Sequence, residues 1–134
     1  MTSDELTEFA KRYAKAWCSY NPESVAAFFA ENGSLSVNDG PLAVGRAAIA
    51  DIAQGFMRTF PDMTVTFDKL DRREDRTAFH WTLSGTYAGT GNHVRISGYE
   101  LWKMDHDGLI AQSEGHFDAA DYERQLKGQV MSDP

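Results

Sequence analysis

The sequence has only one cysteine, Cys18, and no long hydrophobic run. A single thiol excludes an intrachain disulfide. The first residues, Met1 to Glu5, are polar and acidic, whereas a secretory signal begins with a basic and then an apolar segment. No apolar stretch approaches the ~18 residues that a membrane-spanning helix requires. We therefore expect a cytoplasmic protein that needs neither a disulfide scaffold nor a membrane.

Basic residues are also scarce, with 13 lysines and arginines against 20 acidic residues and a net charge of -7. Nucleic acids and anionic membranes are bound through basic surfaces that release counterions. The only basic cluster, Arg72, Arg73 and Arg76, is interrupted by Glu74 and Asp75. The charge pattern predicts no nucleic-acid partner and no membrane partner.

Metal ligands and cofactor motifs are missing as well. The chain has four scattered histidines and one cysteine, with none of the short spacings that metal sites use. Neither a phosphate-binding glycine motif nor a Ser/His/Asp nucleophile is evident. We predict no metal and no cofactor. Any chemistry is then acid/base chemistry on a mostly apolar organic molecule. The four histidines are His80, His93, His106 and His116.

Apolar residues are plentiful, at 42% of the chain, and 12% of the residues are aromatic. A chain of this length and composition predicts one globular domain, residues 1–134, with a large core or pocket. Apolar residues at helical spacing predict an amphipathic helix over residues 3–20 and another over residues 45–60. Asn21 followed by Pro22 predicts a short helix between them, which Gly33 ends.

After Met63 the apolar residues alternate with polar ones, which is typical of strands. The turn residues Asp105–Gly108 join the last two strands as an antiparallel hairpin. The order predicts an α+β fold in which helices pack on one face of a curved, mostly antiparallel sheet. A short strand is predicted over residues 34–37. The four long strands begin at Met63, Thr77, His93 and Leu109, and a short helix follows over residues 119–126.

The hairpin holds the polar residues that a core sheet does not explain. Along the strand that ends at Met104, Glu100 is the only ionisable side chain on an otherwise apolar face. Four polar residues share one face of the next strand, and we expect them to share a concavity with Glu100. Desolvation there is expected to raise the pKa of Glu100 and couple it to neighbouring carboxyls. The four are Gln112, Glu114, His116 and Asp118.

Four segments, together with the order of elements, resemble the nuclear transport factor 2-like superfamily of cone-shaped α+β domains. They are Arg12-Tyr13, Phe28–Asn32, Val44–Ile49 and Trp102–Ile110. The resemblance spans nearly the whole chain and implies a curved sheet wrapped around three N-terminal helices.

The C-terminal pattern looks most like the SnoaL-like polyketide cyclase group. It consists of Gly85–Gly89, Asp107–Ile110 and Asp118 seven residues before Gln125. Because the superfamily hosts isomerases, cyclases, hydrolases, dehydratases and non-catalytic binders on one scaffold, the resemblance names no substrate.

The resemblance also implies roles for single residues. Asp118 falls where the SnoaL-like cyclases have their general acid/base. Tyr13 and Glu100 fall where ketosteroid isomerases have the two donors that hold an enolate oxygen. Val37 occupies the position of the isomerase base, with Asp39 two residues further, so a standard ketosteroid isomerase is not indicated. The Asp-Arg-Asp set of the epoxide hydrolases is not evident either.

Each of these residues also has a structural interpretation. Asp118 precedes a short helix and is a suitable N-cap. His116 is either a proton partner of Asp118 or a polar residue in a wet cavity. Glu100 is either a protonated donor or a solvated residue at the pocket mouth. Six aromatic residues are core residues by default, with some expected to line a substrate cavity together with Glu114. They are Tyr13, Trp17, Phe56, Phe60, Trp81 and Trp102.

Together these observations predict a cofactor-independent cyclase, isomerase or hydratase that acts on a small apolar carbonyl compound. Asp118 is the predicted base, His116 its possible partner, and Tyr13 and Glu100 hold the oxyanion. The alternative is a non-catalytic binding or dimerisation module with the same fold. A polar face on the strand that contains His80 predicts a homodimer through the outer surface of the sheet.

Overall fold

The computed structural model of the protein describes residues 1–128, which form six strands and four helices. The helices are α1 (Ser3–Trp17), α2 (Pro22–Ala26), α3 (Arg46–Thr59) and α4 (Ala119–Lys127). The strands are β1 (Phe29–Val37), β2 (Ala43–Val44), β3 (Thr64–Arg73), β4 (Arg76–Thr86), β5 (His93–Met104) and β6 (Ile110–Phe117).

All six strands belong to one sheet in the order β2-β1-β6-β5-β4-β3. Every neighbouring pair is antiparallel except β1 and β6, which are parallel. The sheet is curved and unclosed, and α1 and α3 pack against it. This arrangement confirms the predicted α+β fold class with a cone-shaped sheet around the N-terminal helices.

The N-terminal helices begin where the sequence predicts. Thr2 and Glu5 form a reciprocal capping box, with Thr2 Oγ1 accepting from Glu5 N at 3.1 Å. Asn21 caps α2 and Pro22 occupies its first turn. A continuous apolar stripe of α1 is buried against the sheet, which brings Tyr13 to the centre of the protein.

The expectation that Gly33 ends the second helix is wrong. Strand β1 already begins at Phe29 and includes Gly33. A Cβ at Gly33 would lie 2.9 Å from the carbonyl oxygen of Ile110, so glycine is required for the close approach of β1 to β6. Ile110 N also donates to Phe28 O at 2.9 Å. Parallel pairing with a strand distant in sequence therefore determines the end of this helix.

The register of the sheet separates an inner from an outer face. Glu100 of β5 pairs with Phe79 of β4 and with Gly115 of β6, and all three lie on the inner face. The intervening residues, such as Tyr99, point outward and are more exposed. The alternation predicted for β5 is confirmed, and the helices cover the inner face.

Helix α4 crosses the end of the sheet after β6. Because β6 stops opposite Gly98, the first part of β5 has no neighbouring strand on that side. The side-chain amide of Gln125 takes the place of a strand there. It accepts from Arg95 N at 2.7 Å and donates to Arg95 O at 3.0 Å. Asn92 also donates to Leu126 O, which fixes the end of α4.

None of the helices within residues 1–128 is long and apolar enough to cross a bilayer.

Candidate active site

A cavity lies between the helices and the inner face of the sheet, with about 620 Å³ of empty space when its open mouth is included. Side chains from α1, α3, α4 and five of the strands form its wall. All the lining residues are apolar or glycine except Glu100 and Tyr122. The wall therefore suits an apolar molecule that meets one carboxyl group.

The carboxyl group of Glu100 is held by three side chains from three elements. Ser113 Oγ of β6 donates to Oε1 at 2.7 Å, and Trp102 Nε1 of β5 donates to the same oxygen at 3.0 Å. The Tyr13 hydroxyl of α1 lies 2.9 Å from Oε1 and 3.2 Å from Oε2. These donors fix the position of the carboxyl group at the boundary between core and cavity.

The two carboxyl oxygens of Glu100 consequently differ. Oε1 contacts all three donors, and the Trp102 indole can only donate. Oε2 has only the longer contact with Tyr13 among residues 1–128. A proton on the neutral carboxyl is therefore best placed on Oε2. When the group is ionised, Oε2 has lone pairs free for a bound molecule.

Burial sets the protonation behaviour of this pair. Only 7% of Glu100 is exposed, and desolvation raises the pKa of its carboxyl, while the hydrogen bonds from Ser113, Trp102 and Tyr13 oppose that rise. Desolvation, reinforced by the charge of Glu100, raises the pKa of the Tyr13 phenol well above its ordinary value. Tyr13 thus remains a neutral donor, and Glu100 is the group that changes protonation.

Aromatic packing immobilises the residues that hold Glu100. Tyr13 is fully buried and makes edge-to-face contacts with Trp102 and Phe79, at centroid distances of 5.3 Å for each pair. Phe79 stacks on Trp102 at 4.9 Å. Side chains packed this densely keep their rotamers, so the donors are preorganised around the carboxyl group.

The prediction that Glu114, His116 and Asp118 share the cavity with Glu100 is wrong. Glu100 pairs with Gly115, which places Ser113 and Gly115 on the inner face and turns Glu114 and His116 outward. The polar row does share one face of its strand, as expected, but that face is the outer one. Glu114 lies 3.8 Å from both Arg76 and His116 there.

Asp118 is exposed, follows the last residue of β6 and does not line the cavity. Its Oδ1 accepts from Asp121 N at 3.0 Å, so it is the N-cap of α4. This position agrees with the structural interpretation of Asp118 as a helix N-cap.

The predicted aromatic residues divide into two groups. Trp17, Phe56 and Trp81 line the cavity, as expected for substrate-binding residues. Phe60 and Trp102 are fully buried and do not line it, because Phe60 packs between helix and sheet residues and Trp102 lies behind Glu100. Trp102 contributes to the site through its hydrogen bond to Glu100 and its stacking on Phe79.

Several residues of the site were not predicted from the sequence, among them Ser113, Phe117 and Tyr122. Ser113 is only 1% exposed and bonds Glu100, while Phe117 and Tyr122 close one side of the cavity. The alternation of Ser113 and Phe117 with polar residues was visible in the sequence. Only the pairing of Gly115 with Glu100 shows that this face is the inner one.

Within residues 1–128 no group of three or more histidine, cysteine, aspartate or glutamate side chains is arranged to hold a metal ion. The carboxyl group of Glu100 is surrounded by donors and apolar side chains, an arrangement suited to proton transfer.

This combination of a cone-shaped α+β fold and an apolar cavity with one buried carboxyl defines the class of protein. The chain belongs to the SnoaL-like domain family, whose sequence profile matches residues 10–113. The recognition of a nuclear transport factor 2-like fold of the SnoaL group is thereby confirmed. No curated protein sequence matches the chain.

Solved structures show the same fold at low sequence identity. A protein with a ketosteroid isomerase-like fold from Catenulispora acidiphila, in complex with trimethylamine, is 19% identical over 95% of both chains, with a TM-score of 0.80. SalBIII, an epoxide hydrolase/cyclase-like enzyme of pyran ring formation, is 16% identical over 90% of this chain and 97% of its own, with a TM-score of 0.77. TerC, co-crystallised with polyporic acid, has 14% identity, the same coverage and the same TM-score.

Proposed function

We propose that the protein is a cofactor-independent acid/base enzyme, a cyclase, isomerase or hydratase, acting on a small apolar carbonyl compound. The observation that carries the proposal is the single buried carboxyl group of Glu100 in the wall of an otherwise apolar cavity, where one oxygen has all three donors and the other only the longer contact with Tyr13. Carboxylates in such surroundings have pKa values raised toward neutrality, which suits them to proton transfer to and from carbon. The structural neighbour SalBIII supports this reaction class by analogy.

In this proposal Glu100 takes the place that the sequence suggested for Asp118. Oε2 removes a proton from the carbon next to the substrate carbonyl, and the electron pair of the broken C–H bond becomes the enolate. The same oxygen then returns the proton to another carbon or to the leaving oxygen. Because one atom accepts and donates, a second carboxylate is not required.

The surrounding donors adjust this proton transfer. When Glu100 is ionised, Ser113, Trp102 and Tyr13 all donate to the carboxylate and stabilise its charge. Burial away from water favours the neutral form of Glu100. Burial and the hydrogen bonds thus act in opposite directions on the pKa of Glu100. A group that is first a base and then an acid must take both forms.

Deuterium incorporation tests the proposal without knowledge of the natural substrate. A panel of cyclic ketones and enones is incubated with the protein in D₂O, and exchange next to the carbonyl is followed by NMR. We expect exchange with the natural sequence and a loss of about 10²–10⁴-fold in Glu100→Gln, the contribution typical of one acid/base group. Exchange that persists in Glu100→Gln contradicts the proposal.

Glu114→Gln is the matched control for this experiment. It makes the same chemical change one residue from the partner of Glu100, but on the outer face. We expect exchange at the natural rate in Glu114→Gln. An equal loss in both variants shows that the effect is not specific to the cavity.

A non-catalytic small-molecule carrier is the second candidate. It is favoured by the finding that only one of the predicted carboxylates lines the cavity. The two functions are separated by ketones that bind, as measured by calorimetry, yet show no exchange above the buffer rate. That result supports the carrier.

We further propose that the protein forms a homodimer through the outer face of the sheet. Tyr99, at 37% exposure, is among the exposed large hydrophobic residues and stands between His80 and His116, with ring centroids 5.7 and 5.1 Å away. Light scattering is expected to give twice the monomer mass. Tyr99→Lys is expected to give the monomer mass, and a monomer for the natural sequence contradicts the proposal.

A further inference from the structure

Asn38 follows β1 in a backbone conformation that few residue types adopt. Its φ is 50° and that of Asp39 is 60°, both in the left-handed region. Gly40 N donates to Val37 O at 2.9 Å, so a tight turn with two left-handed central residues ends the strand. Glycine, asparagine and aspartate tolerate this conformation best. The turn therefore limits position 38 to a few residue types, but it does not explain the choice of asparagine among them.

The side chain of Asn38 holds the end of β6 at the point where β1 turns away. Asn38 N donates to Gly115 O at 2.8 Å, which continues the parallel pairing of β1 and β6. The next bond of the pairing comes from the side chain, because Phe117 N donates to Asn38 Oδ1 at 2.9 Å. Asn38 thus makes two successive bonds to β6, one through its backbone and one through its side chain.

The N–H of Phe117 points away from β5. Along a strand, the N–H and C=O groups of alternate residues point to the same side. Since Gly115 O accepts from Asn38, the N–H groups of Gly115 and Phe117 are directed at β1, although Phe117 is paired with Gly98 of β5. Phe117 is also the last residue of its strand. The side chain of Asn38 therefore fixes a backbone group at a strand end, where strands open most easily.

Phe117 stands on the open side of the cavity. The lining residues Glu100 and Phe79 are buried, whereas Phe117 and Tyr122 are partly exposed. The Phe117 ring packs edge-to-face against Trp81 at a centroid distance of 6.0 Å and against Tyr122 at 5.2 Å. A movement of the Phe117 backbone would therefore shift the part of the wall past which a ligand enters and leaves.

We propose that Asn38 is a positioning residue for the cavity, whose side chain holds Phe117 in place and thereby slows the release of a bound molecule. This inference rests on the proposed binding of a small carbonyl compound in the cavity. Asn38 itself does not line the cavity, so it acts on the ligand through Phe117. Without the amide oxygen the Phe117 N–H would bond only to water, and the end of β6 would open more often.

Release of 5-fluoro-1-indanone, a small apolar ketone, measures this effect through its ¹⁹F NMR line shape. Asn38→Gly keeps the left-handed backbone but removes the acceptor, and we expect it to release the ketone about five- to tenfold faster. Asn38→Asp keeps an oxygen for Phe117 N and is expected to restore the natural rate. A shift of the Trp81 indole signal on binding reports that the ketone occupies the cavity.

Asp39→Gly is the matched control for Asn38→Gly. It makes the same kind of change at the other left-handed position of the turn, where the side chain is exposed. We expect the natural release rate in this variant. Equal acceleration in both variants would show that flexibility of the turn, rather than the bond to Phe117, controls release, and would overturn the inference.

Amide hydrogen exchange of the free protein gives a second measurement that needs no ligand. In Asn38→Gly the Phe117 amide is expected to exchange faster, while the amide of residue 38, which bonds Gly115 through the backbone, stays protected. Unchanged protection of Phe117, an unchanged release rate, or no binding of the ketone to the natural protein contradicts the inference. Because neither measurement involves proton transfer, its failure is distinguishable from failure of Glu100 as the acid/base group.

Discussion

The two faces of the sheet place a glutamate side chain in opposite environments. On the inner face Glu100 is buried, held by three fixed donors and raised in pKa by desolvation. On the outer face Glu114 has 46% of its side chain exposed and meets Arg76 and His116 only at 3.8 Å. The residue opposite Glu100 is Gly115, directly next to Glu114 in sequence. Gly115 and Glu114 are neighbours on β6, yet Gly115 lies on the inner face beside Glu100 and Glu114 lies on the outer face.

The face of the sheet, not the residue type, decides which ionisable residues can do chemistry here. Exposed ion pairs contribute little to the stability of the fold, because water competes for the charged groups and screens them. A buried carboxyl with fixed donors has no such competition, so its protonation is controlled by the protein. Substitutions at the inner face should therefore change stability and proton transfer more than matched substitutions outside the site.

Gly98→Ala is expected to destabilise the protein most. The added Cβ would meet Trp81 Cζ2 at 2.8 Å and would also contact the carbonyl oxygen of His116. Overpacking of this kind against a backbone atom is expected to lower the free energy of unfolding by about 3 kcal/mol, measured by denaturant titration. Gly115→Ala is the control, since its Cβ meets Ser36 O only at 3.5 Å. Equal effects of the two substitutions would contradict the packing described for Gly98.

Glu100→Gln is expected to change the pH dependence of stability. The folded pKa of Glu100 is raised, so its neutral form stabilises the fold at low pH, and this contribution is lost as pH rises through the folded pKa. Glutamine resembles the neutral acid and does not ionise. The variant should therefore gain melting temperature relative to the natural protein as pH rises above 4.5, the ordinary pKa of a glutamate, with about 1.4 kcal/mol for each unit of pKa elevation. Parallel curves, like those expected for Glu114→Gln, would refute a raised pKa.

Ser113→Ala is expected to raise the pKa of Glu100 further. The lost hydrogen bond, 2.7 Å long, favours the charged carboxylate. We expect a higher carboxyl pKa by carbon NMR and a loss of about 1 kcal/mol of stability at neutral pH. Ser97→Ala is the control, because Ser97 makes a 2.7 Å hydrogen bond with Thr82 on the outer face. An equal rise in the carboxyl pKa of Glu100 in Ser97→Ala would contradict direct control of that pKa by the Ser113 hydrogen bond.

Asp118→Ala is expected to have the smallest effect, a loss of about 0.5 kcal/mol in the free energy of unfolding, because the cap is exposed. Alanine removes the cap of α4, whereas Asp118→Asn keeps an oxygen that accepts from Asp121 N. Neither change is expected to alter deuterium exchange. If Asp118→Asn abolishes exchange while the fold is intact, Asp118 rather than Glu100 is the acid/base group.

Much of the fold could be predicted because local signals are strong. The capping box at Thr2 and the alternation from His93 to Met104 fix α1 and β5 without reference to the rest of the chain. The prediction that Gly33 ends the second helix failed because the role of Gly33 is to allow close approach to Ile110. That contact depends on a strand that is distant in sequence. Local patterns determine elements, and pairing determines where some of them end.

The candidate site was predictable only in part for the same reason. The solitary position of Glu100 among apolar residues was visible in its own strand, and its burial is as expected. The face of β6 that lies beside Glu100 depends on the pairing register of β5 and β6. A shift of one residue would place the opposite face of β6 inside. Gly115 and Ser113 are too small and too weakly apolar to indicate a buried face.

The pairing of Gln125 with the backbone of Arg95 has a consequence for solubility. A strand whose N–H and C=O groups are unpaired is a template for strands of other molecules, and aggregation begins at such edges. Here one side-chain amide satisfies both groups and holds α4 across that part of β5. Gln125 thus blocks strand addition at the end of the sheet where β6 no longer covers its neighbour, and Gln125→Ala would open a starting point for fibril growth.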